Sequence, residues 1–348
     1  MDDETDFLER RSADQQVIKQ YLGLDRPRAT IVEEITASLN LAPRGAMFEP
    51  GGLCSGYPLQ PMPDRYFVAQ EFSPDRDDLR NALAAALSKF SVQPICADDF
   101  LWPGHILCKI SALIQSTPFG IYELTTSQSR NIYLELGIAM GLGRPLVLVK
   151  DKNAEVAALA RGLEYHSIDS YLELSYELGQ KVHPFLANIA KYRPQALPTP
   201  GSQRTAVIAH GDLDVIDFSV SMAKMIAKYD LTPVILNDPT GKLGHYLPLE
   251  GISHRIIGSA GLTRLDETVA AIQAARLGVY RIEKTAAPDT FLALGISMGL
   301  NRPGLLIHKI GGNPPSDVKG LSTLEFSTYT GLQQSFLERF GHLLHRYS

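Results

Sequence analysis

Asn131–Lys150, NIYLELGIAMGLGRPLVLVK, decides how this chain is read, because it recurs at Asp289–Lys309 as DTFLALGISMGLNRPGLLIHK. Nine of the fifteen residues from Asn131 to Pro145 agree with their partners. Leucine, isoleucine and methionine at helical spacing form a core stripe, which predicts a helix packed on a sheet. Small residues at Gly137, Ala139 and Gly141 allow close approach. Gly143 and the Arg144-Pro145 pair then end the helix and lead into a strand. A helix and strand present twice imply a duplicated domain, since the period far exceeds that of a solenoid repeat.

Working outward, apolar β-branched runs alternate with amphipathic segments on both sides of each copy. In the first half the strands are RYFVAQEF, VQPICAD, FGIYEL, PLVLVK and YHSI, and AEVAALARGL reads as a helix between the last two. In the second half they are TAVIAH, TPVIL, GVYRI, PGLLIHK and STLEF. Strict alternation of this kind indicates parallel sheets covered on both faces. The expected fold is therefore α/β: two tandem flavodoxin-like, doubly wound parallel sheets with a short helical N-terminal appendage. The expected boundaries are an extension at 1–62 with helices near Asp14–Tyr21 and Ala29–Leu39, a first domain at 63–192, a proline-rich linker at 193–204 and a second copy at 205–348.

A net charge of −5 gives no electrostatic reason to expect a nucleic-acid partner. The N-terminus lacks the apolar stretch of a secretory signal, and no run is apolar enough to cross a bilayer. Cys54, Cys96 and Cys108 have no metal-like spacing, and the last two, in apolar runs, read as buried free thiols. The expectation is a cytoplasmic protein without a metal and outside the membrane, with room for a homo-oligomer.

The two copies differ where chemistry would reside. Asn131 is placed as an N-cap, with Glu135 one turn into the helix near the carboxyl end of the preceding strand. Ala293 and Asp289 stand at these positions in the second copy. Glu135 is either aimed at a pocket or simply an acid favoured by the helix N-terminus. Gln70, Phe72, Ser73, Asp98, Asp99, Tyr122 and Glu123 fall at the ends of the first three strands and are candidates for binding a ligand. Each also has a structural reading as cap, loop or core residue. Trp102 and His105 lie in a neighbouring loop, His105 as a helix-start residue. In the second copy, HGDLD (His210–Asp214) reads as a strand end and helix cap in preference to a metal site.

The run from Tyr66 to Pro145, above all NxYxELGxAxGLGRP, resembles the superfamily joining nucleoside 2-deoxyribosyltransferases with bacterial Toll/interleukin-1-receptor (TIR)-like domains. The likeness covers about Arg65–Ile168, and the second half is similar only as a worn copy. It implies N-glycosidic cleavage or transfer on a nucleoside, nucleotide or NAD, with Glu135 as nucleophile or oxocarbenium stabiliser. It implies no separate cofactor, NAD or a nucleotide being substrate or ligand. The alternative is a non-catalytic nucleotide sensor with the second copy as assembly partner.

Overall fold

The computed structural model describes residues 47–48 and 61–347, apart from 72–75, 100, 103, 125–128, 190–202, 259–263, 320 and 322. The helices expected in the N-terminal extension and most of the linker lie outside these residues. The extension nevertheless supplies a strand, β1 (Met47–Phe48), beyond the two helices expected there.

The first unit runs β2 (Arg65–Ala69), α1 (Arg76–Leu87), β3 (Gln93–Ile95), α2 (Ile106–Ser116), β4 (Gly120–Glu123), α3 (Arg130–Gly141), β5 (Leu146–Asp151), β6 (His166–Ile168) and α4 (Tyr171–Ile189). The second runs β7 (Thr205–Ala209), α5 (Val215–Ala227), β8 (Thr232–Leu236), α6 (Leu243–Leu249), β9 (Arg255–Ile257), α7 (Leu265–Ala274), β10 (Leu277–Arg281), α8 (Pro288–Gly299), β11 (Gly304–Lys309), β12 (Leu324–Phe326) and α9 (Tyr329–Tyr347). The protein is thus α/β with two sheets of parallel strands.

The sheets are not equivalent. The first has the order β3-β2-β4-β5-β6. The second has the order β9-β8-β7-β10-β11, with β12 continuing parallel to β11 and β1 antiparallel at its other end. The extra edge strand β9 and helix α6 lie between β8 and α7, where the sequence pattern predicts no element. Gly241, Gly251 and Pro248 obscure its pattern, and only Leu243 and Leu247 of α6 are buried. Beyond this insertion the copies keep register. Arg130 and Pro288, Leu146 and Gly304, Ala158 and Ser316, and Tyr171 and Tyr329 each open the same element 158 positions apart.

AEVAALARGL forms only a 3-10 turn at Ala158–Gly162. Its backbone N–H groups serve tertiary partners: Ala157 donates to the Tyr133 hydroxyl, and Ala158 and Leu159 donate to Asp289. An α-helix would have drawn such groups into its own ladder.

Five layers result: helices, sheet, helices, sheet, helices. The outer face of the first sheet packs Leu79 and Leu83 of α1 with Leu174 and Leu178 of α4. The outer face of the second packs Phe218 of α5 with Phe336 and Phe340 of α9. Between the sheets one continuous core draws on both units, including Phe67, Leu134 and Ile138 from the first and Val207, Leu292 and Ile296 from the second. At its centre α3 and α8 touch through glycine. A β-carbon on Gly137 would lie 2.3 Å from the Leu292 carbonyl oxygen, and one on Gly299 would lie 2.3 Å from that of Ile138. The repeated small residues therefore serve approach of helix to helix across the copies, not of helix to sheet.

Cys96 is a buried free thiol as read, whereas Cys108 is disulfide-bonded. The expectation of two free thiols fails there, and with it one support for a reducing compartment. No helix among the described residues is long and apolar enough to cross a membrane.

Candidate functional site

In open α/β sheets the crevice beyond the carboxyl ends of the strands, where the order reverses, is the ready place for a ligand. Each sheet has one, and each is closed by a turn from the opposite unit. At the head of α3, Asn131 Nδ2 donates to Ser316 Oγ and to Asp317 Oδ1, both at 3.0 Å, in the 3-10 turn Ser316–Val318. At the head of α8, Asp289 accepts from Leu159 N–H at 2.6 Å and Ala158 N–H at 3.3 Å. The constant register makes these mirror contacts: Asn131 matches Asp289, and Leu159 matches Asp317. His105 caps α2 and its Nε2 lies 3.0 Å from the Lys319 carbonyl oxygen, a further bond between the units.

The second crevice is lined by His210, Gly211, Asp212, Asn237, Asp289 and Thr290, with Leu159 of the first unit among its further walls. It encloses about 370 Å³ counting the open space at its mouth, so little of it is closed off from solvent. It thus suits the edge of a ligand and not a whole deeply buried one. His210 does not act as a base in this arrangement. Its Nδ1 accepts the Asp212 N–H at 2.9 Å, so the proton resides on Nε2, which donates to the Asn237 carbonyl at 2.9 Å. Burial lowers its pKa and keeps this neutral tautomer. Asp238 is consumed as a cap, accepting from Thr240 and Leu243 N–H. What remains is Asn237 Oδ1, buried and without a hydrogen-bond partner among the described residues. Its backbone has φ 68°, a left-handed conformation that asparagine tolerates.

The sequence candidates fall mostly in and around the first crevice, with mixed outcomes. Phe72 and Ser73 lie outside the described residues. Gln70 occupies the place of His210, and its Oε1 is buried without a partner. Asp98 is exposed at the end of β3. Asp99 is a loop brace: it accepts Cys96 N–H at 2.8 Å and takes both Arg80 guanidinium nitrogens at 2.6 and 2.9 Å. Tyr122 is fully buried and folds back over Gly120, away from the strand end, because glycine leaves room for its ring. Glu123 points to the other face, where the Tyr171 hydroxyl donates to it at 2.9 Å. Asn131 bridges the units.

Glu135 is 9% exposed and has no hydrogen bond among the described residues. Burial first, then the nearby Asp317, raises its pKa well above the carboxylate range. Burial that favours the protonated form makes this carboxyl group a poorer nucleophile than an ordinary carboxylate. Asp317 escaped the sequence reading. The signal was available, since carrying the register past Pro145 sets Asp317 against Leu159 just as it sets Glu135 against Ala293. Among the described residues no group of three or more His, Cys, Asp or Glu could hold a metal.

No family model matches the chain, and no curated protein matches it. Solved structures similar to it include a ketoreductase domain from the bacillaene assembly line, with 9% identity, 80% of this chain and 90% of that chain covered, and a TM-score of 0.23. A C2-type ketoreductase from a modular polyketide synthase aligns with 11% identity, 83% and 91% coverage and a TM-score of 0.23. Neither is a deoxyribosyltransferase or a TIR-like domain. With no matching family model or curated protein, the resemblance drawn from NxYxELGxAxGLGRP is corrected, and with Glu135 buried and its protonated form favoured, N-glycosidic cleavage or transfer by it goes too. At a TM-score of 0.23 the ketoreductases in turn lend this chain no activity.

Proposed function

We propose that the protein is a binding module for a small hydroxyl-bearing ligand of the kind a ribose presents, seated at the second crevice. The observation that carries this reading is the buried, unpartnered Oδ1 of Asn237. Leaving such an acceptor dry costs about 1–3 kcal/mol, and a ligand hydroxyl would relieve it. Asn237 stands at the end of β8, the strand flanking β7 in the order β9-β8-β7-β10-β11-β12. In doubly wound sheets of that order this strand end faces the ribose. The glycine-rich phosphate loop common at such sites is absent after β7, where HGDLD stands, so the reading extends to the sugar end of a ligand only. The engaged ring of His210 supports binding in preference to turnover.

The test is calorimetric titration with adenosine, NAD and ribose 5-phosphate. Saturable binding of at least one is expected, lost in Asn237→Gly, which keeps the positive φ and the backbone carbonyl, and retained in Asn237→Asp. Binding that survives Asn237→Gly, or no binding by any of the three, rejects the proposal.

A further inference from the structure

The first crevice is unlike the second in a specific way. Two substitutions between the copies, Glu135 for Ala293 and Asp317 for Leu159, place one acid from each unit in the same crevice, at positions that are apolar in its mirror. Both side chains are more than nine-tenths buried, at 9% and 7% exposure. Neither has a basic partner among the described residues. By contrast the buried Arg281 is matched by Glu283 at 2.7 Å and Asp214 at 3.3 Å.

Buried ionisable groups are ordinarily paired, so an unpaired couple of acids calls for an account. The atoms around them point one way. Asn131, one turn before Glu135 on the same helix face, touches Asp317 with its amide nitrogen and leaves its Oδ1 buried and unpartnered. Gln70 Oε1, at the end of β2, is likewise buried and unpartnered. The crevice thus sets two carboxyl groups beside two amide oxygens that have no partner among the described residues. Too few acids gather for a metal cage.

We propose that the crevice of the first unit, where Glu135 and Asp317 converge, binds a small organic cation of amine or guanidinium type. The cation donates N–H bonds to the two carboxyl groups and to the Asn131 and Gln70 carbonyl oxygens, offsetting the cost of burying the acids. The site is separate from the Asn237 crevice and does not depend on the ligand proposed there.

The probe is methylguanidinium, with methylurea as its uncharged analogue of like shape, titrated by calorimetry and protein-observed NMR. Saturable binding of methylguanidinium at about 1 mM or tighter is expected, with methylurea weaker by about tenfold or more. Glu135→Gln and Asp317→Asn, both close in shape to the native side chains, are each expected to weaken it by about tenfold. Wild-type protein supplies a readout free of any folding defect: binding weakens as pH falls from about 8 to 5 and Asp317 takes up its proton. The titratable groups facing Glu135 are Asp317 from the turn, Tyr122 from β4 and Cys96 from β3, and of these only Asp317 shares that range. Absence of saturable binding, equal binding of methylurea, a flat pH response, or folded variants that bind as wild type would each overturn the proposal. A pair of acids that merely shares a proton gives the first of these outcomes.

Discussion

Gly137 and Gly295 meet across the two units so closely that a β-carbon on Gly137 would lie 2.8 Å from the Gly295 α-carbon. The neighbouring atoms are backbone, which cannot swing aside. Gly137→Ala or Gly295→Ala is therefore expected to force α3 and α8 apart and destabilise the fold by about 1–3 kcal/mol or more, the usual scale of overpacking. Gly244→Ala is the control. It lies in α6 with nothing within 4 Å, and is expected to be neutral or to stabilise by about 0.5–1 kcal/mol. Urea unfolding of the three variants checks this, and equal midpoints would contradict it.

Asp317 gives the fold a pH dependence of known sign. Burial raises its pKa from 3.8 to about 6. Between these values the folded chain keeps a proton that the unfolded chain has lost, so stability falls as pH rises through the window and stays low above it. Asp317→Asn removes this loss while keeping an acceptor for Asn131. It should be more stable than wild type at pH 8, by on the order of 2–3 kcal/mol, with the gap closing toward pH 4. Thermal melts at both pH values decide the matter, and a variant less stable at pH 8 refutes it.

Burial favours the protonated form of Glu135 in the folded protein. By the linkage that applies to Asp317, Glu135→Gln should therefore be more stable than wild type at pH 7, with the gap closing toward pH 4. The mirror change, Ala293→Glu, places a carboxyl group beside Leu159 in a position only 1% exposed. It should cost on the order of 2–4 kcal/mol through overpacking and desolvation. Denaturant melts of the pair test whether the two crevices differ as described.

Asp289 holds the 158–162 turn against the second unit. Asp289→Ala leaves the Ala158 and Leu159 N–H groups without their acceptor, at about 1–3 kcal/mol for each one that water does not reach. Amide exchange should accelerate at those two residues before it does in β4 or β7. Unchanged exchange there would show that the bond to Asp289 does not hold the turn.

Much of this protein follows from local pattern. Apolar runs and helical spacing determined where most strands and helices lie, because those elements bury one face whatever their neighbours are. The duplication was plain in Asn131–Pro145 and Asp289–Pro303. Short pieces with weak patterns, β1 and β9 among them, were not legible, since edge strands are held by the sheet they join and not by their own propensity.

Function is where tertiary structure decided. The sequence determined that Glu135 differs from Ala293, but a carboxylate one turn into a helix reads equally as reagent or as buried acid. Only the packing of α3 on α8 showed that it is buried, and only the turn from the opposite unit brought Asp317 beside it. These two residues lie far apart in the chain, and an acid's charge state depends on what surrounds it in space, which no local pattern encodes.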